Sequence, residues 1–243
     1  MKLLKISILI ILMSCADVAK RDRYIFMIGD STMANKSSDK YPETGWGQVF
    51  NEFFTEGIKI ENLARNGRST KSFLAENRWT PSVNELNEGD YVFIEFGHND
   101  EKTTVPEVGT SLEEYRANLL RFVKETRSKK AIPVLLTPIA RRSFKNGVYY
   151  DTHGLYPSVV VSLAKSEDVP LIDLHDKSEQ LLKEMGDESS KELFLWAEAS
   201  KYSGYPEGIR DNTHLNPTGA RVIAKLAADG IKELDLPLAA NLK

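Results

Sequence analysis

Five short apolar runs, separated by helix-patterned sequence, set the strongest limit on how this chain can fold. They cover residues 24–29, 58–63, 91–97, 131–137 and 171–174, and Gly, Pro, Asn or Asp bounds each one. Runs of that length with such ends read as buried strands. The clearest helical pattern between them spans 112–127. There Leu112, Tyr115, Leu119 and Val123 recur at helical spacing behind a Ser111-x-x-Glu114 capping box. Another begins at Asn216-Pro217, an N-cap followed by a proline in the first turn, and continues with Val222, Ile223, Leu226, Ala227 and Ile231. Strands alternating with helices imply an α/β fold, a mainly parallel sheet covered on both faces. No internal repeat, low-complexity tract or linker divides the chain, so residues 24–243 are expected to form one domain.

The N-terminus has a different character. In "MKLLKISILIILMSC", Lys2 and Lys5 precede an unbroken apolar stretch over 8–13, which ends at Ser14-Cys15. A positive segment and a short apolar one make a secretory signal, too short to span a bilayer as a helix. Residues 1–14 read as that signal and 15–23 as a tether. Leu-Met-Ser-Cys resembles a bacterial lipobox, which implies cleavage before Cys15 and lipidation of its thiol. The expected product is an exported lipoprotein, periplasmic or at the cell surface, touching the membrane only through that anchor. Cys15 is the only cysteine, so there can be no internal disulfide and no Cys-based zinc site. A formal net charge of −3, with no basic block, argues against a nucleic-acid partner.

In an open parallel sheet, ligands bind beyond the carboxyl ends of the strands, near the point where strand order reverses. The first run ends at Gly29-Asp30-Ser31, the second leads into "NLARNGRSTKSF" with Gly67, and the third ends in "FGHND". Near the C-terminus, "DNTHLN" sets Asp211 three residues before His214, in a loop ahead of the last helix. A serine hydroxyl needs a base to take its proton, and the base needs a carboxylate on its other ring nitrogen. Ser31, His214 and Asp211 can fill those roles, because Asp-x-x-His in a tight loop can return the carboxylate to its own imidazole. The N–H groups of Ser31 and Gly67 and the Asn99 amide are plausible oxyanion donors. Taken singly, each has a plainer reading: Gly-Asp-Ser as a turn, Gly67 as a turn glycine, Asn99 as a cap, Asp211 as a loop anchor, and His98 and His214 as satisfied histidines.

The set as a whole resembles the SGNH (GDSL-type) hydrolases, and more closely their rhamnogalacturonan acetylesterase-like branch. "IGDSTM" matches the family serine block at Ser31, "NGRSTKSF" its glycine at Gly67, "FGHND" its asparagine at Asn99, and "DNTHLNPTGA" its aspartate and histidine at Asp211 and His214. Further similarity lies at "GWGQ", "TPIARRSF" and "DTHGLYP", so the match covers about 25–220 in order. The resemblance implies a three-layer α/β/α sandwich, flavodoxin-like, with a five-stranded parallel sheet. It implies a serine esterase that removes O-acetyl groups from pectin-type polysaccharide or its oligosaccharides through an acetyl-Ser31 intermediate, with no metal or organic cofactor. The enzyme is expected to act as a monomer.

Weaker expectations surround this set. Arg141 and Arg142 follow the fourth run, with Tyr150, His153 and Tyr156 in the loop beyond. Guanidinium groups suit uronic-acid carboxylates and aromatic rings suit sugar faces, so these five are candidate substrate contacts, against a solvated loop whose arginines pair with acids. Trp46 and Trp79 fit the core better than the cleft. Three other functions compete. An SGNH esterase acting on acetyl xylan, sialic acid or lipid shares the chemistry. A non-catalytic glycan-binding lipoprotein would share only the fold. A metallophosphoesterase would need converging imidazoles and carboxylates, yet no histidine lies near Asp30 in sequence. Within the chain, Ser69 in "NGRST" is a rival nucleophile, but it lacks the second glycine of a nucleophile elbow.

Overall fold

The computed structural model describes residues 22–243; the signal sequence, Cys15 and most of the tether lie outside them. In chain order the elements are β1 (Arg23–Gly29), α1 (Trp46–Val49), β2 (Ile58–Asn62), α2 (Thr70–Ala75), α3 (Trp79–Glu85), β3 (Tyr91–Glu95), α4 (Leu112–Ser128) and β4 (Ile132–Leu136). There follow β5 (Phe144–Lys145), β6 (Val148–Tyr149), α5 (Tyr156–Glu167), β7 (Leu171–Ile172), α6 (Leu174–Ser190), β8 (Phe194–Ala197), β9 (Ile209–Leu215) and α7 (Pro217–Glu233). Strands pair in the order β2-β1-β3-β4-β7, all parallel. The chain winds from β1 to β2 on one side and then crosses to β3 on the other. The reversal therefore falls between β1 and β3, the expected place for a binding crevice.

Period-two alternation along β1 divides the core into two layers. Ile25 and Met27 pack with Phe93 and Val134 against Trp46, Leu182, Ile223 and Ala227, on the side of α1, α6 and α7. Phe26 and Ile28 pack with Val92 and Ile94 against Phe73, Trp79, Phe122 and Val160, on the side of α2 to α5. Trp46 and Trp79 both lie in this core, 0% and 1% exposed. All five residues of β3 are buried, as a central strand covered on both faces requires.

The five expected strands are the five strands of this sheet; the second to fourth are slightly shorter than their apolar runs, and the fifth is only Leu171–Ile172, because Leu174 opens α6. Two local expectations need correcting. The Ser111 hydroxyl caps α4 by accepting the Glu114 N–H at 3.1 Å, but the Glu114 carboxylate pairs with Lys71 at 3.6 Å and does not close the box. The reciprocal box sits at the start of α2, where Ser69 and Ser72 each bond the other's N–H. The Asp211–His214 segment, expected as a loop, belongs to β9, which pairs antiparallel with β8 in a hairpin outside the main sheet. Leu195 faces Asp211 while its neighbour Phe194 faces Leu215, so residues 212–214 bulge out of the ladder. A bulge of this kind re-aims side chains, and here the re-aimed residue is His214.

Candidate active site

Ser31 lies two residues beyond β1, on the rim of the crevice. A side chain at Gly29 would collide with the Glu95 carbonyl, its Cβ falling 2.6 Å from that oxygen. Glycine therefore lets β1 stay beside β3 up to the turn. His214 Nε2 stands 2.9 Å from Ser31 Oγ, and His214 Nδ1 is 2.7 Å from Asp211 Oδ2. The other Asp211 oxygen accepts the N–H groups of Thr213 (2.7 Å) and His214 (2.9 Å). One carboxylate thus holds the bulge and the imidazole together. Burial would raise the Asp211 pKa, but the bonds from the His214 side chain and backbone and from Thr213 outweigh it, and the pKa falls to about 2. A permanent carboxylate on Nδ1 favours the tautomer that leaves Nε2 free to accept the serine proton.

The expected oxyanion donors converge on the same rim. Gly67 has a φ of +75°, in the left-handed region, and its Cβ position opens on empty space. The N–H groups of Ser31 and Gly67 have no acceptor among the described residues. Asn99 spends one amide hydrogen on the Arg68 carbonyl (3.0 Å), while its Oδ1 takes the Lys102 ammonium at 2.8 Å. That grip turns Nδ2 toward the Gly67 loop and leaves one N–H uncommitted. The loop is anchored from below by buried Asp100, which accepts the Thr70 N–H, its hydroxyl and the Thr110 hydroxyl; burial lifts the Asp100 pKa to about 7.

Several residues that support Ser31 carry no sequence signal of their own. Lys36, its side chain 2% exposed, donates to the Ser31 carbonyl (2.6 Å) and to Asn66 Oδ1 (2.7 Å) while paired with Glu43 (2.7 Å). Behind the turn, the Thr32 hydroxyl lies 2.9 Å from Asp30 and 3.2 Å from Glu95, both fully buried. Burial and the Asp30 charge push Glu95 up to about 8, while Trp46 Nε1 (2.8 Å) and the Ile139 N–H donate to it. A protonated Glu95 can donate to Thr32, and Thr32 to Asp30 Oδ1, so the three groups form one directed chain. Asp30 also faces His98 Nδ1 at 3.3 Å. Burial would raise Asp30, but the His98 contact and the Thr32 bonds hold it below the usual carboxylate range; burial lowers His98 to about 4.

The five candidate substrate contacts are mostly enclosed. Arg142 is 4% exposed, bonded to Asn212 Oδ1 (2.9 Å) and Asp187, with its guanidinium over the Phe144 and Trp196 rings. Its N–H holds the Asn212 carbonyl at 2.9 Å, so it braces the β9 bulge from inside and does not face a ligand. Arg141 pairs with Glu101 and reaches the His98 carbonyl. His153 is 2% exposed between Glu101 and the Ile139 carbonyl, and the Tyr156 hydroxyl donates to the Thr110 carbonyl at 2.6 Å. Tyr150 alone remains open to solvent. Ser69 is buried as the α2 cap, with no histidine on its hydroxyl. Among the described residues, no three His, Cys, Asp or Glu side chains converge so as to hold a metal ion.

A family model for GDSL-like Lipase/Acylhydrolase matches residues 25–227. The chain belongs to that family. The family match takes in Ser31, Gly67, Asn99, Asp211 and His214 together. Within the GDSL-like family the chain is 41% identical over 224 residues to the rhamnogalacturonan acetylesterase RhgT of Bacillus subtilis, covering 92% of this chain and 95% of RhgT. It is 36% identical over 220 residues to the probable rhamnogalacturonan acetylesterase YesY of the same organism, covering 90% and 97% respectively. The crystal structure of the Bacillus subtilis protein YxiM superposes with a TM-score of 0.76 at 24% identity, over 89% of this chain and 58% of that one. At that identity the likeness speaks to fold, and it agrees with the five-stranded parallel sheet described above.

Proposed function

We propose that this protein is a serine O-acetylesterase that removes acetyl groups from pectin-type polysaccharide through an acetyl-Ser31 intermediate. The observation that carries the reading is the unbroken relay from Ser31 Oγ through His214 to Asp211, at 2.9 and 2.7 Å, in a chain 41% identical to a rhamnogalacturonan acetylesterase. Ser31 Oγ attacks the acetyl carbonyl carbon while His214 Nε2 takes its proton. The carbonyl oxygen becomes an oxyanion facing the Ser31 and Gly67 N–H groups and the free Asn99 N–H. Collapse expels the sugar oxygen, which His214 protonates, and leaves acetyl-Ser31. Water then attacks that ester, giving its proton to His214, and acetate departs as Ser31 regains the proton.

Asp211 stays ionised throughout and offsets the positive charge that forms on His214 in each half-reaction. We also read the protein as exported and anchored at Cys15, on the strength of the lipobox-like sequence. Acetate release from acetylated rhamnogalacturonan, acetyl xylan and O-acetyl sialic acid tests the substrate. Release from rhamnogalacturonan at the highest kcat/KM is expected. A preference for xylan or sialic acid at least tenfold above it would contradict the pectin reading and leave the serine mechanism in place.

A further inference from the structure

Beside the proposed oxyanion loop lies a cavity of 210 Å³ walled by Arg65, Arg68 and Arg78 together with Asn35 and Asn66, and no acidic side chain lines it. We propose that this cavity is a subsite for the carboxylate of an acidic sugar in the substrate chain, with Arg65 its principal contact. The inference rests on the polysaccharide esterase reading and adds what the neighbouring sugar must carry.

Three observations converge on it. First, the guanidinium groups are incompletely used. Arg65 is exposed and its side chain makes no hydrogen bond or ion pair among the described residues. Arg78 reaches Glu76 through Nε alone, and Arg68 spends Nε on Glu76 and Nη1 on the Asn66 carbonyl. Glu76 is thus shared by two of the three arginines, and unpaired positive charge remains at the cavity. Guanidinium forks match a carboxylate in bidentate geometry. Secondly, the cavity is tied to the reacting serine. The Arg65 N–H donates to the Gly29 carbonyl at 3.0 Å, two residues before Ser31. Asn66 takes the Lys36 ammonium that also holds the Ser31 carbonyl. Thirdly, its volume lies below the roughly 300–1,000 Å³ that holds a drug-sized ligand. It suits one charged sugar unit within a longer chain.

The contrast with Arg141 and Arg142 supports the placement. Those two are committed to Glu101 and Asp187 inside the protein, whereas Arg65 has no such partner. Arg68 also lines a neighbouring cavity that includes Gly67, which sets the arginine-lined space beside the proposed oxyanion loop.

The test is calorimetric titration of wild type and Arg65→Ala with trigalacturonate free of acetyl groups, and with its carboxyl-reduced neutral counterpart. The wild type is expected to bind the acid and to bind the neutral compound at least tenfold more weakly. Arg65→Ala should lose about tenfold in affinity for the acid, the loss of one charge-assisted contact, with hydrolysis of p-nitrophenyl acetate unchanged. Equal affinity for the two compounds, or an unaltered affinity in Arg65→Ala, would overturn the subsite. Acid-selective binding in a protein that releases acetate from no pectic substrate would uphold the subsite and overturn the esterase assignment, so the two failures are separable.

Discussion

Two histidine–aspartate pairs flank Ser31, made of the same side chains and put to opposite uses. In front, His214 and Asp211 meet at 2.7 Å with side chains 28% and 24% exposed. Behind, His98 and Asp30 meet at 3.3 Å with side chains 3% and 0% exposed. The front pair keeps one ring nitrogen on the serine and is partly open to solvent. The rear pair is sealed: burial holds His98 near 4, so it stays neutral at ordinary pH, and Asp30 serves as the acceptor for the turn that carries Ser31. In the proposed mechanism, proton transfer therefore follows access and alignment, and residue type alone does not decide it.

Replacing each histidine in turn puts this contrast at risk. His214→Ala should lower kcat for ester hydrolysis by about a thousandfold or more, with little change in thermal unfolding, since the side chain sits in an outer bulge. His98→Ala should instead remove the partner of a buried carboxylate and cost about 3 kcal/mol in denaturant unfolding, while folded molecules keep most of their kcat. A stable, inactive His98→Ala would reverse the assignment of the two pairs.

A smaller effect is expected in the network below Thr32. The Glu95 pKa is raised in the folded protein to about 8 from an ordinary value near 4.5. The folded state then holds a proton that the unfolded state has lost. Stability from this group is complete below about pH 4.5 and is lost as pH rises through about 8, by at most roughly 1.4 kcal/mol per pH unit. Glu95→Gln keeps a donor at that position at every pH. Its stability relative to wild type should climb from pH 4.5 to 8 in urea titrations; a constant difference would show that Glu95 is ionised throughout.

Much of this arrangement was readable in the residues. The five strands showed as bounded apolar runs because a parallel sheet buried on both faces demands them. Ser31, Gly67 and Asn99 stood out because they follow those runs, and Asp211 and His214 because their spacing returns a carboxylate to its own ring. What escaped notice had physical reasons. β9 reads Ile-Arg-Asp-Asn-Thr-His-Leu, with no apolar alternation, since the hairpin lies outside the sheet and its bulge breaks the period. Arg142 and His153 lie in loop sequence and Tyr156 opens α5; all three look available, yet partners distant in the chain enclose them. Glu95 closes an apolar strand, and nothing local shows that Thr32, Trp46 and Ile139 will gather around it. Arg65 had no motif to mark it, because its distinction is a missing partner.

The most direct test of the serine mechanism is covalent. Treating the protein with an organophosphonate and mapping the adduct by peptide mass spectrometry should place one label on Ser31, with esterase activity falling in proportion to labelling. A label on Ser69, or full activity with Ser31 completely modified, would contradict it.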